Sequence, residues 1–523
     1  MIEKLKQYIT DTPKFIHNDF KNFEPGKTSI FYSGPYWDEN EVEMAIKAFM
    51  TGKWLSSGEY VHKFEKRFAR KFGTKDALMV NSGSSANLVM VGALKKVFGW
   101  KDGDEIIVSP VGFPTTIAPI IQHGMKPVFI DIEFNSLNFD VGLIEDKITD
   151  KTRGIFVSPV LGNPPNMDII SDICKEYDLQ LIMDGCDSLG SKYKQRLIVD
   201  YAVAWSNSFY PSHHITTGEG GMVCSNDERV ISTARSMAWW GRDCYCVGAG
   251  NLLPNGTCGN RFDNWLPSYQ GVIDHKYIFT NLGYNLKPLD LQGAIGLAQL
   301  EKVDEIHEKR RQAKFRLEKM FEKYCGVYVP KEDAQAETSW FGTPIVCSGK
   351  KEKDLLVSYL ENNKIQTRNY FAGNILLHPA YSNLGDWMDY PESNKVLDKV
   401  FFIGAAPHYT DEVFDLYTIN GTRALLTFND GLATASTLSL SNIDVSNETE
   451  VYVLVTSFIE SFTDTSLSNS QNIVDDVSVV CDAISSTLVE GGESTTWSNY
   501  KSNKPSENNT TDYRDYQNDV YWP

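Results

Sequence analysis

The chain has 523 residues, a length that suits about two to four domains with a substantial core. Its apolar (42%) and aromatic (12%) contents are typical of a folded protein, and its net charge of −18 argues against nucleic acid as a main partner, because phosphate binding requires clusters of Lys and Arg. No apolar run predicts a membrane span and residues 1–15 lack the apolar core of a signal peptide, so we expect a cytoplasmic protein with no membrane partner.

Residues 1–50 are expected to form an N-terminal arm, and residues 51–300 a large domain. In that domain YVHKFEKRFARKFG has helical spacing and ends on a glycine, and DALMVNSGSSANL predicts a strand, a turn of small residues and a helix. DEIIVSP, KPVFIDI, RGIFVSPVL and LQLIMD predict short strands, with a helical pattern before the last. This alternation predicts an α/β fold with a mostly parallel sheet, whose ligands bind beyond the carboxyl ends of the strands.

Two more regions follow the predicted sheet. Residues 289–324 predict a long helix with one break, and residues 301–417 are expected to form a smaller C-terminal α/β domain. Residues 418–523 are rich in Ser, Thr and Asn, which predicts a solvated, poorly ordered extension. Within it, EVYVLVTSFI suits one strand or one helix.

Two stretches of the large domain suit a phosphorylated cofactor. The turn NSGSSANL opens a helix, so its backbone N–H groups and hydroxyls at Gly83, Ser84 and Ser85 suit an anion, although small residues begin many helices. Asp184 closes LQLIMD and is either a turn-forming acid or the carboxylate that keeps a pyridine nitrogen protonated. Ser208 adds a second hydroxyl for a phosphate.

The next motif, SFYPSHHITTGEGG, has two histidines in a loop of this kind. Together with WLSSGEYVHKFEKRFA, SPVGFPTTIAPI, LIMDGCDSLG, LGYNLKPLDLQGAIGLAQL and NNKIQTRNYFAGN, it resembles the DegT/DnrJ/EryC1/StrS sugar aminotransferase family, whose pyridoxal phosphate-dependent enzymes act on nucleotide-linked keto-sugars. The resemblance extends from about residue 54 to 417. It implies the aspartate aminotransferase (type I) fold of PLP-dependent transferases and a nucleotide diphosphate keto-sugar as substrate.

The resemblance also implies roles for single residues. Positions that match the family's cofactor contacts are Gly83, Ser84 and Ser208 for the phosphate, Phe113 for stacking on the pyridine, Asp184 for its nitrogen, and Asn285 for the phosphate of a neighbouring subunit. The last of these implies a homodimer. Taken singly, Phe113 suits core packing and Asn285 suits a turn.

His213 stands where the family places the lysine that binds the cofactor covalently. A histidine forms no such bond, but it titrates near neutrality and suits general-base chemistry. The resemblance therefore implies a 3-dehydrase: pyridoxamine 5′-phosphate (PMP) is bound without a covalent link, and His213 takes a proton from its C4′ as the C3 hydroxyl of the sugar leaves. His214 is an alternative base or a neighbour that orients His213.

Four of the nine cysteines have a spacing that matters. Cys186, Cys244, Cys246 and Cys258 are separated by 57, 1 and 11 residues, and the resemblance implies that they hold a [2Fe–2S] cluster. Zinc and unligated core cysteines are the alternatives, and the long last interval makes Cys258 the weakest candidate. The cluster implies CDP-4-keto-6-deoxyglucose as substrate, 3,6-dideoxyhexose synthesis for surface polysaccharide, and an NAD(P)H-dependent iron–sulfur flavoprotein reductase as partner.

Three rival interpretations remain open from the sequence. They are a cluster-free 3-dehydratase of the GDP-4-keto-6-deoxymannose type, a plain nucleotide-sugar aminotransferase, and an inactive scaffold or regulator. Iron content separates the first from our interpretation, and a covalently bound cofactor would favour the second.

Overall fold

The computed structural model of the protein describes residues 27–414 except 53, 245–259, 264, 323–325 and 412; it also describes residues 3, 4, 7, 23 and 24 and two strands near the C-terminus. The chain divides into two compact units. One comprises Met1–Glu322 and Val327–Ile419, and the other Lys323–Gly326 and Asn420–Pro523. Of the described helices, none is long and apolar enough to cross a membrane.

The α-helices of the described residues lie in the first unit. In chain order they are α1 (Glu39–Thr51), α2 (Glu59–Lys71), α3 (Gly83–Phe98), α4 (Pro114–Gln122), α5 (Met167–Glu176), α6 (Glu228–Ala238), α7 (Asp290–Phe321), α8 (Lys350–Asn362) and α9 (Pro391–Lys399).

The strands are short, as the sequence predicts for the large domain. They are β1 (Asp76–Val80), β2 (Glu105–Val108), β3 (Lys126–Phe129), β4 (Ile132–Glu133), β5 (Asn138–Phe139), β6 (Thr152–Val157), β7 (Gln180–Asp184), β8 (Lys192–Tyr193), β9 (Arg196–Leu197), β10 (Ala204–Ser208), β11 (Gly221–Ser225), β12 (Val327–Tyr328), β13 (Ala336–Glu337), β14 (Gly342–Cys347), β15 (Arg368–Asn369), β16 (Val400–Gly404), β17 (Thr487–Glu490) and β18 (Glu493–Thr496).

A seven-stranded sheet organises the first unit, in the order β1-β11-β10-β7-β6-β2-β3. The pairs from β10 to β3 are parallel, whereas β11 runs antiparallel to both of its neighbours. The predicted mostly parallel sheet is therefore confirmed. Because β1 and β10 both oppose β11, they point the same way, and their carboxyl ends share one edge with that of β7.

Helices cover both faces of this sheet, because its central strands are apolar on both sides. Along β7, Leu181 and Met183 pack into a cluster with Phe64 and Phe68 of α2, while Ile182 points to the opposite face and packs near Val89 of α3. All three β7 residues are at most 4% exposed. A strand buried on both faces is held rigidly, so its carboxyl end is a firm base for a site.

Helix α7 differs from its sequence prediction, since it is one helix of 32 residues without the expected break. Its two glycines lie against α2: a Cβ on Gly293 would come within 2.4 Å of the Val61 nitrogen, and one on Gly296 within 2.6 Å of the Phe64 ring. The glycines thus permit close helix packing. Since α7 crosses residue 300, the division into domains 51–300 and 301–417 stays a prediction.

A four-stranded antiparallel sheet, β12-β14-β16-β15, lies in the region predicted as the small domain. Within the predicted extension, β17 and β18 form an antiparallel pair with Glu490 opposite Glu493. The prediction of a solvated, poorly ordered extension did not include this pair of strands. EVYVLVTSFI and the other residues of 415–523 lie outside the described residues.

Candidate active site

The predicted site residues gather at the carboxyl edge of the large sheet. Asp184 is the last residue of β7 and Ser208 the last of β10, and these strands pair in parallel with Ser206 opposite Asp184. Strand β1 ends at the same edge of the sheet, and the short loop after it leads through Ser82 into α3, which begins at Gly83. The strand edge therefore brings the predicted phosphate and pyridine contacts together.

The Asp184 carboxylate is buried and held by hydrogen bonds. Oδ2 accepts from Asn87 Nδ2 (2.7 Å) and Thr116 Oγ1 (2.6 Å), and Oδ1 accepts from the Cys186 backbone N–H (3.2 Å). Ser206 Oγ donates to Asn87 Oδ1 (2.6 Å), which fixes the amide of Asn87. These three donors fix the direction of the Asp184 carboxylate. Asn87 and Thr116 were not singled out from the sequence, although both belong to the quoted motifs.

The first turn of α3 forms a cradle that only glycine fits. A Cβ on Gly83 would come within 2.6 Å of Ser208 Cβ and 3.2 Å of Cys186 Sγ. Ser82 caps the helix by accepting from the Ser85 N–H (3.1 Å), and Ser84 is exposed. The free N–H groups of a 16-residue helix at this point suit an anion.

Phe113 and Asn285 lie on the surface of the single chain. Phe113 caps α4 and is 53% exposed, with its ring edge-on to Phe371 at 6.3 Å between centroids. Asn285 is exposed, and its Oδ1 accepts from Lys287. An exposed aromatic ring is available to a planar ligand, and an exposed amide to a second subunit.

His213 lies in the loop after β10, largely buried, with 15% of its side chain exposed. Its Nδ1 is 3.6 Å from Asp187 Oδ1 and has no hydrogen-bond partner, and its ring packs on Phe341 at 5.0 Å. Burial lowers the pKa of His213 to about 4; Asp184 opposes this shift and Arg310 adds to it. The imidazole is therefore neutral at pH 7, the state a proton acceptor needs.

His214 points into the protein interior. It is 2% exposed, its Nε2 hydrogen-bonds the Ser339 carbonyl at 2.9 Å, and its ring meets His307 edge-on at 5.4 Å. Burial, followed by Arg310, holds the pKa of His214 well below its ordinary value. Of the two histidines, His213 is the one beside the residues that surround Asp184.

Asp187 had no role in the sequence interpretation. Burial, reinforced by the nearby Asp184 charge, raises the pKa of Asp187 to about 8. Its Oδ2 accepts from the Leu161 N–H at 3.3 Å, and its Oδ1 faces His213. Asp187 is therefore mainly protonated at pH 7. The pKa values of these two adjacent groups are therefore shifted in opposite directions.

The four candidate cluster cysteines are only partly described. Cys186 follows β7, and its side chain packs against Gly83 in the first turn of α3. Burial, reinforced by the charge of Asp184, holds the pKa of its thiol well above the ordinary value. Cys244 is buried and lines a cavity of about 660 Å³ with Lys96, at the last turn of α3. Cys246 and Cys258 lie outside the described residues. Among the described side chains, no three metal-ligating groups converge.

Most of the chain matches a known family. The family model described as DegT/DnrJ/EryC1/StrS aminotransferase family matches residues 36–416. The chain belongs to this family. The family resemblance drawn from the motifs is thus confirmed.

Two relatives within this family are 37% identical to the chain. The dTDP-4-dehydro-2,6-dideoxy-D-glucose 3-dehydratase of Saccharopolyspora spinosa aligns over 428 residues, 79% of this chain and 91% of the relative. The lipopolysaccharide biosynthesis protein RfbH of Salmonella typhimurium aligns over 407 residues, 76% of this chain and 91% of the relative.

A solved family structure superimposes on the same region. It is Escherichia coli GDP-4-keto-6-deoxy-D-mannose-3-dehydratase with bound hydrated PLP, with a TM-score of 0.64 and 30% identity over 75% of this chain and 100% of that one. The predicted aspartate aminotransferase (type I) fold is confirmed. A 3-dehydratase and a GDP-perosamine synthase both occur among the relatives.

Proposed function

We propose that the protein is a PMP-dependent nucleotide-sugar 3-dehydrase, a lyase that removes the C3 hydroxyl of a 4-keto-6-deoxy sugar. One observation carries the proposal: the loop that leaves β10 beside Asp184 presents the neutral imidazole of His213, where the family resemblance places an amine. An imidazole accepts a proton but forms no covalent link to a cofactor aldehyde. The curated 3-dehydratase relative and the E. coli 3-dehydratase structure support this proposal.

The residues at the strand edge fit PMP. The cradle at Gly83 and Ser84, with Ser208 against it, would hold the phosphate, and the fixed Asp184 carboxylate would face the ring nitrogen. Phe113 offers an exposed ring for stacking. When bound, PMP supplies an amine that condenses with the 4-keto group and a ring that accepts electrons as bonds at C4′ break.

His213 would act as the general base. Its neutral imidazole would accept the proton from the cofactor's C4′, and the Asp184 carboxylate would hydrogen-bond the ring nitrogen. Asp187, mainly protonated at pH 7, places no full negative charge beside His213 before the proton moves, so the imidazole stays neutral until then. A group poised in this way accelerates proton transfer by about 10²- to 10⁴-fold.

The nucleotide and sugar belong to the proposal too. The cysteine pattern points to CDP-4-keto-6-deoxyglucose and to synthesis of 3,6-dideoxyhexoses, and the similarity to a lipopolysaccharide biosynthesis protein supports a surface polysaccharide as destination. Purified protein incubated with the CDP-, GDP- and dTDP-linked 4-keto-6-deoxy sugars identifies the substrate by chromatography of the products. Turnover of the GDP or dTDP compound alone would reject the CDP assignment.

The [2Fe–2S] cluster is proposed from cysteine spacing. One structural feature supports it: the two ends of the segment with Cys246 and Cys258 meet at His275, whose Nε2 bonds Asp243 (2.9 Å) and whose backbone N–H donates to the Arg261 carbonyl (2.9 Å). The described residues alone do not form a cluster site, so we assign no reaction step to it. The flavoprotein reductase is proposed as partner on the same basis.

A cluster-free 3-dehydratase is the second candidate. It is favoured by the similarity to the E. coli GDP-4-keto-6-deoxy-D-mannose enzyme. Such an enzyme would recharge its cofactor with glutamate. Both candidates use His213 in the same role.

One experiment tests these proposals together. Protein purified without air is analysed for absorbance, cofactor, iron and labile sulfide. We expect PMP released by denaturation, with two irons and two sulfides per chain. Absence of iron would leave the cluster-free candidate, and a cofactor fixed covalently by borohydride would favour an aminotransferase.

The proposed homodimer rests on Asn285, which is exposed and which the family resemblance assigns to a neighbouring subunit's phosphate. Complementation tests it: a mixture of His213→Asn and Asn285→Ala chains, unfolded and refolded together, should regain activity that neither variant has. A lack of recovery despite heterodimer formation would reject the shared site.

A further inference from the structure

Arg310 on α7 is a buried charge that the proposed reaction does not use directly. The residue is 1% exposed, and among the described residues it makes no ion pair. Burial lowers the pKa of its guanidinium to about 10, so it stays charged at neutral pH. Removing a charge from water costs several kcal/mol unless hydrogen bonds or opposite charges around it compensate. The guanidinium therefore needs polar partners inside the protein.

Four oxygen atoms surround the guanidinium. Nη1 donates to the Phe341 carbonyl (2.9 Å), and Nη2 lies within hydrogen-bond distance of Ser33 Oγ (3.2 Å), the Ser212 carbonyl (3.3 Å) and the His213 carbonyl (3.2 Å). Two of these acceptors belong to the main chain at the proposed base.

These contacts join three segments that are distant in sequence. Ser33 lies before α1 and donates its own hydroxyl to the Ser212 carbonyl at 2.6 Å. Phe341 precedes β14, and its ring packs on the imidazole of His213. Arg310 therefore fixes both the backbone that carries His213 and the ring that supports it.

We propose that Arg310 is a positioning residue, whose guanidinium fixes the Ser212–His213 main chain and the Phe341 backing so that the imidazole reaches the reacting carbon. This inference rests on the proposed function. The planar guanidinium presents several N–H donors in a fixed arrangement, which suits several carbonyl acceptors at once. A lysine at this position keeps the charge but not that arrangement.

A purely structural clamp is the competing explanation, and the chemistry of the residue argues against it. A well-packed apolar side chain often stabilises an interior as well as a buried charge does. Three of the four oxygens bonded to Arg310 belong to His213, Ser212 next to it or Phe341 against its ring. The bonds thus converge on the base loop.

The test compares Arg310→Met, Arg310→Lys and Ser33→Ala with the wild type. Arg311→Met is the matched control, because Arg311 is the next residue on α7 and bonds Glu332 and the Thr338 carbonyl instead. Hydrogen–deuterium exchange of the peptide spanning residues 209–217 is measured on each purified protein. Steady-state kcat and KM are measured with the nucleotide sugar that the wild type turns over, and PMP affinity by titration.

For Arg310→Met we expect at least tenfold faster exchange in this peptide and a fall of about 100-fold in kcat, the size of effect that a displacement of about 1 Å produces. KM and the PMP dissociation constant should stay within about threefold. Arg310→Lys and Ser33→Ala should give smaller losses of the same kind, and Arg311→Met none.

Unchanged exchange in the peptide would overturn the proposal, as would equal acceleration across all peptides with kcat preserved. If Arg310→Met does not fold, Arg310→Lys and Ser33→Ala decide by the same criteria. Should the wild type turn over no nucleotide sugar, the proposed function fails, whereas the exchange data still decide whether Arg310 fixes the loop.

Discussion

His213 Nδ1 lies 3.6 Å from Asp187 Oδ1, and burial shifts the pKa values of the two groups in opposite directions. Burial lowers the pKa of His213 to about 4 and raises that of Asp187 to about 8, so both are mainly neutral at pH 7. A neutral base beside a neutral acid has no strong ion pair to break before it accepts a proton. This relationship suits His213 to the proposed role of base, which a fully exposed, charged histidine would not suit.

Replacing His213 by Asn should remove the general base while keeping a side chain of similar size. We expect turnover to fall by about 10²- to 10⁴-fold, with PMP affinity unchanged because the variant keeps Gly83, Ser84, Asp184 and Ser208. Product formation and PMP titration measure the two effects. Full turnover by this variant would refute the catalytic assignment.

Replacing His214 by Phe should mainly affect stability. The change leaves the buried Ser339 carbonyl without its partner, which costs about 1–3 kcal/mol. We expect a lower urea midpoint and a kcat per folded molecule within about threefold of the wild type. A loss of kcat as large as that of His213→Asn, without loss of stability, would instead make His214 the base.

Adding a methyl group at residue 83 should damage the phosphate cradle. In Gly83→Ala the new Cβ would meet Ser208 Cβ at 2.6 Å, and such overpacking destabilises the fold by about 1–3 kcal/mol. Relieving the contact moves the backbone N–H groups that would hold the phosphate, so we expect PMP affinity to fall by at least about tenfold, which is about 1.4 kcal/mol. Gly385→Ala is the control, because its Cβ would make only ordinary contacts at 3.5 Å and beyond; equal affinities for both variants would contradict the cradle.

The depressed pKa of His213 predicts acid sensitivity. Between its folded pKa of about 4 and its unfolded value of about 6.5, His213 binds more protons in the unfolded chain, so its own contribution to folded stability falls as pH falls through this window. The raised pKa of Asp187 contributes in the opposite direction, so the wild type is compared with a variant that lacks only the imidazole. From pH 7 to 5 this residue should contribute a loss of about 2 kcal/mol. Urea unfolding should show a smaller loss for His213→Asn, and identical pH dependence would show that the imidazole titrates normally.

Much of the large domain followed from local patterns. DEIIVSP, KPVFIDI and LQLIMD became β2, β3 and β7, because short apolar runs between turn residues suit strands buried on both faces. The small-residue turn at Gly83 became the start of α3 as predicted. The break expected in α7 was wrong, because tight packing on α2 stabilises one continuous helix.

Other parts of the site had weaker local signals. Arg310 occupies the apolar face of α7, between Ile306 and Ala313, and a charged residue on such a face is a usable signal that the sequence interpretation overlooked. Asn87 and Thr116 bond Asp184 from two different helices. No spacing along the chain shows that both reach the same oxygen.

The sequence by itself determined the family, the α/β fold and the presence of histidine where an amine was expected, because these depend on residue order and short-range periodicity. The tertiary structure decided which histidine lies beside Asp187, how Asp184 is held and why His213 and Asp187 are both mainly neutral. These properties arise from burial and from contacts between segments more than 20 residues apart, such as Asp187 with His213 and Arg310 with Ser33. Burial changes the cost of a charge, and only the folded chain determines burial.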